Sequence, residues 1–143
     1  MKQDGKTLAE LMMVTAIFAM VSLMAIPNYL GLNSRTQLRC VTEDIASDLR
    51  LGRQLALTHR DRVRIVIDTE RQQLITQYVN GNTTHHVYQY GGKGLSIEEP
   101  SAGWDIQFWP SGRAATPTTI HLRNREGQTQ MLTVSITGRV SIL

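Results

Sequence analysis

From Leu11 to Ser34 the chain carries no charged side chain. At about 1.5 Å per helical residue this run can cross a hydrocarbon layer of about 30 Å. Beyond it, Leu38, Val41, Ile45, Leu49, Gly52 and Leu55/Ala56 recur every three or four positions. Glu43, Ser47, Arg50 and Gln54 fall on the opposite side. The spacing predicts an amphipathic helix ending near His59. Continuity of the two segments implies one long N-terminal helix, half apolar all round and half one-sided. The period then becomes two, predicting strands at Val63–Asp68, Leu74–Tyr78, Val87–Tyr90, Leu95–Ile97, Asp105–Trp109, Thr118–Arg123, Met131–Ile136 and Arg139–Ile142. Glycine, asparagine and proline turns separate them, and no second helix is present to carry crossovers, so the sheet is expected to be antiparallel. The fold class is α+β: a long N-terminal helix packed on an antiparallel β-sheet domain.

Composition changes this picture little. With 143 residues, 41% hydrophobic and 19% charged, the chain is neither disordered nor wholly embedded in a membrane, and its size does not lead one to expect a multidomain enzyme. The net charge of +3 belongs to residues 35–143, because Lys2 and Lys6 cancel Asp4 and Glu10. It is too small to argue for nucleic acid by itself. One cysteine, Cys40, excludes an internal disulfide and reads as a small packing residue on the helix, with an intersubunit disulfide as the alternative.

The first segment is a poor cleavable secretory signal: its apolar stretch is too long, Asp4 offsets the basic start, and no Ala-x-Ala follows Met24. Glu10 also stands at the edge of the apolar run, where an acid is costly unless it is paired or functional. These residues carry a resemblance. Gly5-Lys6-Thr7-Leu8-Ala9-Glu10-Leu11, followed by Met12-Met13-Val14-Thr15-Ala16-Ile17 and closing with Ala25-Ile26-Pro27-Asn28-Tyr29, is similar to the class III signal of type IV prepilins and type II secretion pseudopilins. Farther on, Ile106-Gln107-Phe108-Trp109-Pro110-Ser111-Gly112-Arg113, the hairpin Thr118–Ile136 and the ending Thr137-Gly138-Arg139-Val140 resemble the minor pseudopilin family GspH/FimT.

The resemblance implies a pilin-like fold divided into a leader (1–5), a transmembrane and filament-core helix (6–34), an amphipathic half (35–60) and a β-rich globular domain (61–143). A prepilin peptidase would cut after Gly5 and methylate Lys6, which stands where the family usually has an apolar residue. Glu10 would set axial register by pairing with a neighbouring subunit's terminal ammonium, since burying both charges together costs less than burying either alone. Pro27 would kink the helix or mark its exit from the membrane. The implied protein is a minor pilin or pseudopilin. It would be held in the bacterial inner membrane by a single N-terminal span, with its globular domain in the periplasm or outside, and an assembly platform would extract it into a helical filament of other pilins. It would serve a type II secretion pseudopilus or a type IV pilus. The alternative is a DNA-binding minor pilin acting in DNA uptake, with Arg62, Arg64, Arg123, Arg125 and Arg139 as phosphate or partner contacts.

No cofactor or metal is called for. Gly91-Gly92-Lys93-Gly94 lacks the spacing and following helix of a phosphate loop and reads as a turn. His85 and His86 are adjacent, so strand alternation sends them to opposite faces. There is no Gly-x-Ser-x-Gly elbow, and Cys40 has no histidine nearby in sequence, so catalysis is not expected. Asn82-Thr83-Thr84 matches a glycosylation acceptor, a tripeptide common by chance. Trp104, Ile106 and Phe108 are expected in the core. Trp109 is expected on the other side, under a second packed layer or as a contact residue.

Overall fold

The computed structural model describes residues 7–81 and 83–143, and the side chains of residues 24–33 are outside that description. Gly5, Lys6 and Asn82, named above, therefore lie outside the described residues, as does the side chain of Pro27. The chain divides into two compact units, Met1–Arg35 and Thr36–Leu143. Helix α1 (Leu8–His59) supplies residues to both and runs through Pro27 without interruption.

In the first unit Glu10 lies in the first turn of α1, where a carboxylate favours the partial positive charge of the helix N-terminus. Leu11, Met12, Met13, Val14, Ile17, Phe18, Met20, Val21 and Leu23 are all more than half exposed. Thr15 turns its hydroxyl back onto the carbonyls of Leu11 (3.1 Å) and Met12 (2.9 Å), so even this polar group is satisfied within the helix. Among the described residues no helix is long and apolar enough to cross a membrane.

In the second unit α1 buries Leu38, Val41, Ile45, Ala46, Leu49 and Ala56, the stripe expected from the spacing, while Glu43, Ser47, Arg50 and Gln54 stay exposed. Gly52 lies within that stripe, and a Cβ there would stand 2.6 Å from Ile65 Cδ1, so a larger residue requires the buried Ile65 side chain to shift. Arg60, with φ of 52°, adopts the left-handed turn that ends the helix.

Where one sheet was expected, two four-stranded antiparallel sheets form. The first has the order β3-β2-β1-β5, from β1 (Val63–Asp68), β2 (Gln73–Tyr78), β3 (Thr84–Gln89) and β5 (Asp105–Phe108). The second has the order β4-β6-β7-β8, from β4 (Leu95–Ile97), β6 (Thr118–Asn124), β7 (Thr129–Val134) and β8 (Val140–Ile142). The chain passes from one sheet to the other at each step between β3 and β6, which short turns and alternation alone do not reveal. Inward residues of both sheets, such as Ile65 and Phe108 of the first and Ile120 and Leu132 of the second, share a single core with the helix stripe.

Strands β3 and β7 have boundaries that shift by two residues or more from the expectation, and the others agree to within one. β3 begins at Thr84 rather than Val87, because polar Thr84 and His86 pair with Gln77 and Thr76 of β2 across a bulge that leaves His85 as the extra residue. β7 ends at Val134, and Ile136 is instead 48% exposed in the following turn.

Candidate interaction surface

The most constructed surface feature grows from two turns. β5 sends Phe108 into the core and Trp109 outward, and the chain then reverses at Pro110-Ser111-Gly112-Arg113. Here the Gly112 N–H donates to the Trp109 carbonyl (2.8 Å) and the Trp109 N–H to that of Arg113 (2.9 Å). Between β7 and β8 the pattern recurs: the Gly138 N–H donates to the Ser135 carbonyl (2.8 Å) and the Ser135 N–H to that of Arg139 (2.9 Å). Gly112 (φ 76°) and Gly138 (φ 77°) both occupy the left-handed region.

The two turns are locked together. A Cβ on Gly138 would strike the Gly112 carbonyl oxygen, and that same oxygen accepts a 2.9 Å bond from Arg53 Nε of α1. The Ala114 N–H donates to the Ile136 carbonyl (3.1 Å), closing the junction from its other side. The helix and one turn from each sheet thus meet at a single carbonyl. The positive φ at both positions and the close approach at Gly138 explain physically why both short motifs carry glycine.

Outside the junction lies an open groove of about 540 Å³, lined by Trp109, Pro110, Ser111, Arg113, Ala114, Ala115 and Ile136. Trp109 is 38% exposed, so it has no second packed layer above it; the Arg62 guanidinium stands 3.8 Å from its ring centroid instead. No lining residue is acidic. Asp61, next to Arg62 in sequence, is engaged by the Arg62 N–H (2.6 Å) and by Asn80 Nδ2 (2.5 Å).

The arginines singled out by the sequence fall into separate places. Arg62 and Arg139 belong to this end of the domain. Arg123 and Arg125 lie at the β6–β7 turn, the far end of a hairpin whose strands are about 20 Å long. Arg125 rests there against Gly94. Arg64 is occupied: its Nη1 lies 3.8 Å from Asp105 Oδ2. With the Gln77 amide turned to face it, that side-chain oxygen accepts from Arg64 at 2.6 and 2.9 Å. Arg53 was not singled out. The one signal for it in the sequence is its place beside Gly52 on the buried side of the helix.

A second polar cluster ties β3 to α1. Tyr88 donates its hydroxyl to Asp44 Oδ2 (2.7 Å), and Lys93 Nζ donates to the Tyr88 oxygen (2.7 Å) while lying 3.6 Å from Asp44. Burial, and then the Asp44 carboxylate, push the Tyr88 hydroxyl well above the usual phenol range. His86 Nε2 lies 3.7 Å from Asp48 Oδ1. Burial raises the Asp48 carboxyl above its ordinary value, His86 partly opposes this, and Asp44 adds to it. Asp48 Oδ2 has no hydrogen-bond partner among the described residues. His85 instead meets Tyr78 edge-on, with ring centroids 6.0 Å apart, and Tyr78 meets His59 at 5.4 Å. Among the described residues no group of three or more His, Cys, Asp or Glu is placed to hold a metal. Cys40, expected to pack, is exposed.

Comparison with known proteins bears on this geometry. The family model described as "Type II transport protein GspH" matches residues 41–138, which include the Gly112-Arg113 turn and extend to Gly138 of the second. The chain is similar in structure to the type IV minor pilin FimU of Pseudomonas aeruginosa PAO1, with a TM-score of 0.66 and 16% identity over 76% of this chain and 90% of that one. It is similar also to the minor pseudopilin EpsH of the type 2 secretion system of Vibrio cholerae, with a TM-score of 0.59 and 15% identity over 75% and 96%. No curated protein sequence gives a significant match.

Proposed function

The chain belongs to the GspH family of type II transport proteins and is a minor pilin-like structural subunit of a type II secretion pseudopilus or a type IV pilus; from that premise we propose how its N-terminal segment serves assembly. The observation that carries the proposal is the exposure of every large apolar side chain described from Leu8 to Leu23, on a helix whose sole charge between residues 7 and 34 is Glu10. A helix that is apolar all round must be covered by lipid or by other helices. Before assembly residues 11–34 hold the protein in the bacterial inner membrane. In the filament the same side chains pack against neighbouring subunits.

Glu10 gives this packing its register. An ionised carboxylate among apolar side chains is costly, and a neighbouring subunit's amino-terminal ammonium relieves the cost at one axial position only. Cleavage after Gly5 by a prepilin peptidase exposes that ammonium at Lys6. Pro27, which cannot donate a backbone hydrogen bond, lets the helix adapt as subunits move from bilayer to filament. The role requires no catalytic group and no cofactor.

The test is Glu10→Ala in the full chain. Membrane insertion remains intact, and the amount recovered in sheared filaments falls at least about tenfold, since an unpaired partner charge costs more than 1.4 kcal/mol. Equal recovery of wild type and variant overturns the register role.

A further inference from the structure

The groove beside the locked turns has a use that filament-core packing leaves open. Its floor is apolar, formed by Trp109, Pro110, Ala114, Ala115 and Ile136, and Trp109 and Ile136 are both well exposed. Its rim is cationic: Arg113 lines it and Arg62 stands over the indole of Trp109. We infer that this groove receives an extended segment of a different, neighbouring subunit, one that carries an apolar side chain flanked by carboxylates. The inference rests on the subunit role proposed above.

Three features select that occupant. Apart from Arg113, the lining side chains offer only the Ser111 hydroxyl and the Trp109 indole N–H as polar groups, so the group that fills the floor is mainly apolar. The rim carries positive charge with no acid among the lining residues, so the flanks of the occupant must be negative. The groove is also held rigid. Its walls come from two turns fastened at the Gly112 carbonyl by Arg53 and Gly138, so docking orders little that is not already ordered. A nucleic acid strand fits less well, because Arg123 and Arg125 lie at the far end of the hairpin and leave few cations beside the groove to track a phosphate backbone.

The experiment places a photoreactive benzoyl-phenylalanine at Ala115 of the full chain, with a control at exposed Gln89 on β3, and irradiates cells bearing assembled filaments. Mass spectrometry identifies the cross-linked peptide. The expected result is cross-linking from position 115 to another subunit, at an apolar residue within two positions of Asp or Glu. In the Arg62→Glu, Arg113→Glu double variant the yield drops at least about fivefold, because two rim charges now repel the occupant. Thermal unfolding of the double variant, together with its recovery in filaments, shows that it is folded and assembled when the yield is read.

Cross-linking to a peptide without carboxylates, to another copy of this chain or to nucleic acid overturns the inference. So does the absence of any product at position 115 while the chain is present in filaments, and in each of these cases the subunit role stands. Absence of the chain itself from sheared filaments overturns the inference and the subunit role together.

Discussion

Replacing Gly138 with alanine tests whether the two turns are locked as described. The residue has φ of 77°, which costs an L-residue with a Cβ about 1–2 kcal/mol. The new Cβ would also strike the Gly112 carbonyl oxygen and stand 2.9 Å from Arg53 Nε. Neither is the free end of a flexible chain, so the Gly112 turn must move and the Arg53 bond, charged at its donor, is lost at about 1.5–3 kcal/mol. The sum is about 2.5–5 kcal/mol. For a unit of this size, at about 4 °C for each kcal/mol, the midpoint of thermal unfolding drops by about 10–20 °C.

Gly92→Ala provides the control, because Gly92 has nearly the same φ of 81° but nothing within 4 Å of the position its Cβ would take. It carries the conformational cost alone and shifts the midpoint by about 4–8 °C. Both are measured by near-ultraviolet circular dichroism on the full chain in detergent. A double-mutant cycle with Arg53→Ala adds a second reading: with the bond already gone, Gly138→Ala costs about 1.5–3 kcal/mol less than in the wild type. Equal midpoints for Gly138→Ala and Gly92→Ala would refute the locked junction.

Other perturbations test other parts of the fold. Leu49→Ala, at a wholly buried position in the helix stripe, destabilises by about 2–5 kcal/mol in urea unfolding. Asp48→Asn tests the buried carboxyl: its pKa is raised, so the folded chain holds that proton more tightly than the unfolded chain, and stability falls as pH rises from 3.8 through the raised value. The amide escapes that loss, so the variant is more stable than the wild type at pH 7, and the advantage is gone below pH 3.8. Arg62→Ala removes the cover from Trp109 at a stability cost below about 1 kcal/mol, and acrylamide quenching of tryptophan fluorescence increases.

Sequence and structure divide the account of this protein along a physical line. Local periodicity and turn chemistry carry the long helix, its buried stripe, the strand order along the chain and the antiparallel sense, because each depends on residues within about ten positions of one another. The Gly5-to-Glu10-to-Pro27 pattern is likewise a matter of spacing along one segment, so the expectation of assembly was legible before any fold was. The GspH/FimT likeness rested on short stretches, Trp109-Pro110-Ser111-Gly112-Arg113 and Gly138-Arg139-Val140, and the family match across residues 41–138 agrees with it.

Only the tertiary structure decided which strands share a sheet. β4 pairs with β6 and β5 with β1, and nothing in a strand of three or four residues specifies a partner so far away in the chain. It also decided that Trp109 stays open beneath Arg62, that the arginines divide between two ends of the domain, and that Arg53 reaches Gly112 across 59 positions. Contacts of that separation are chosen by how whole surfaces pack, and a side chain's own sequence neighbours say little about them.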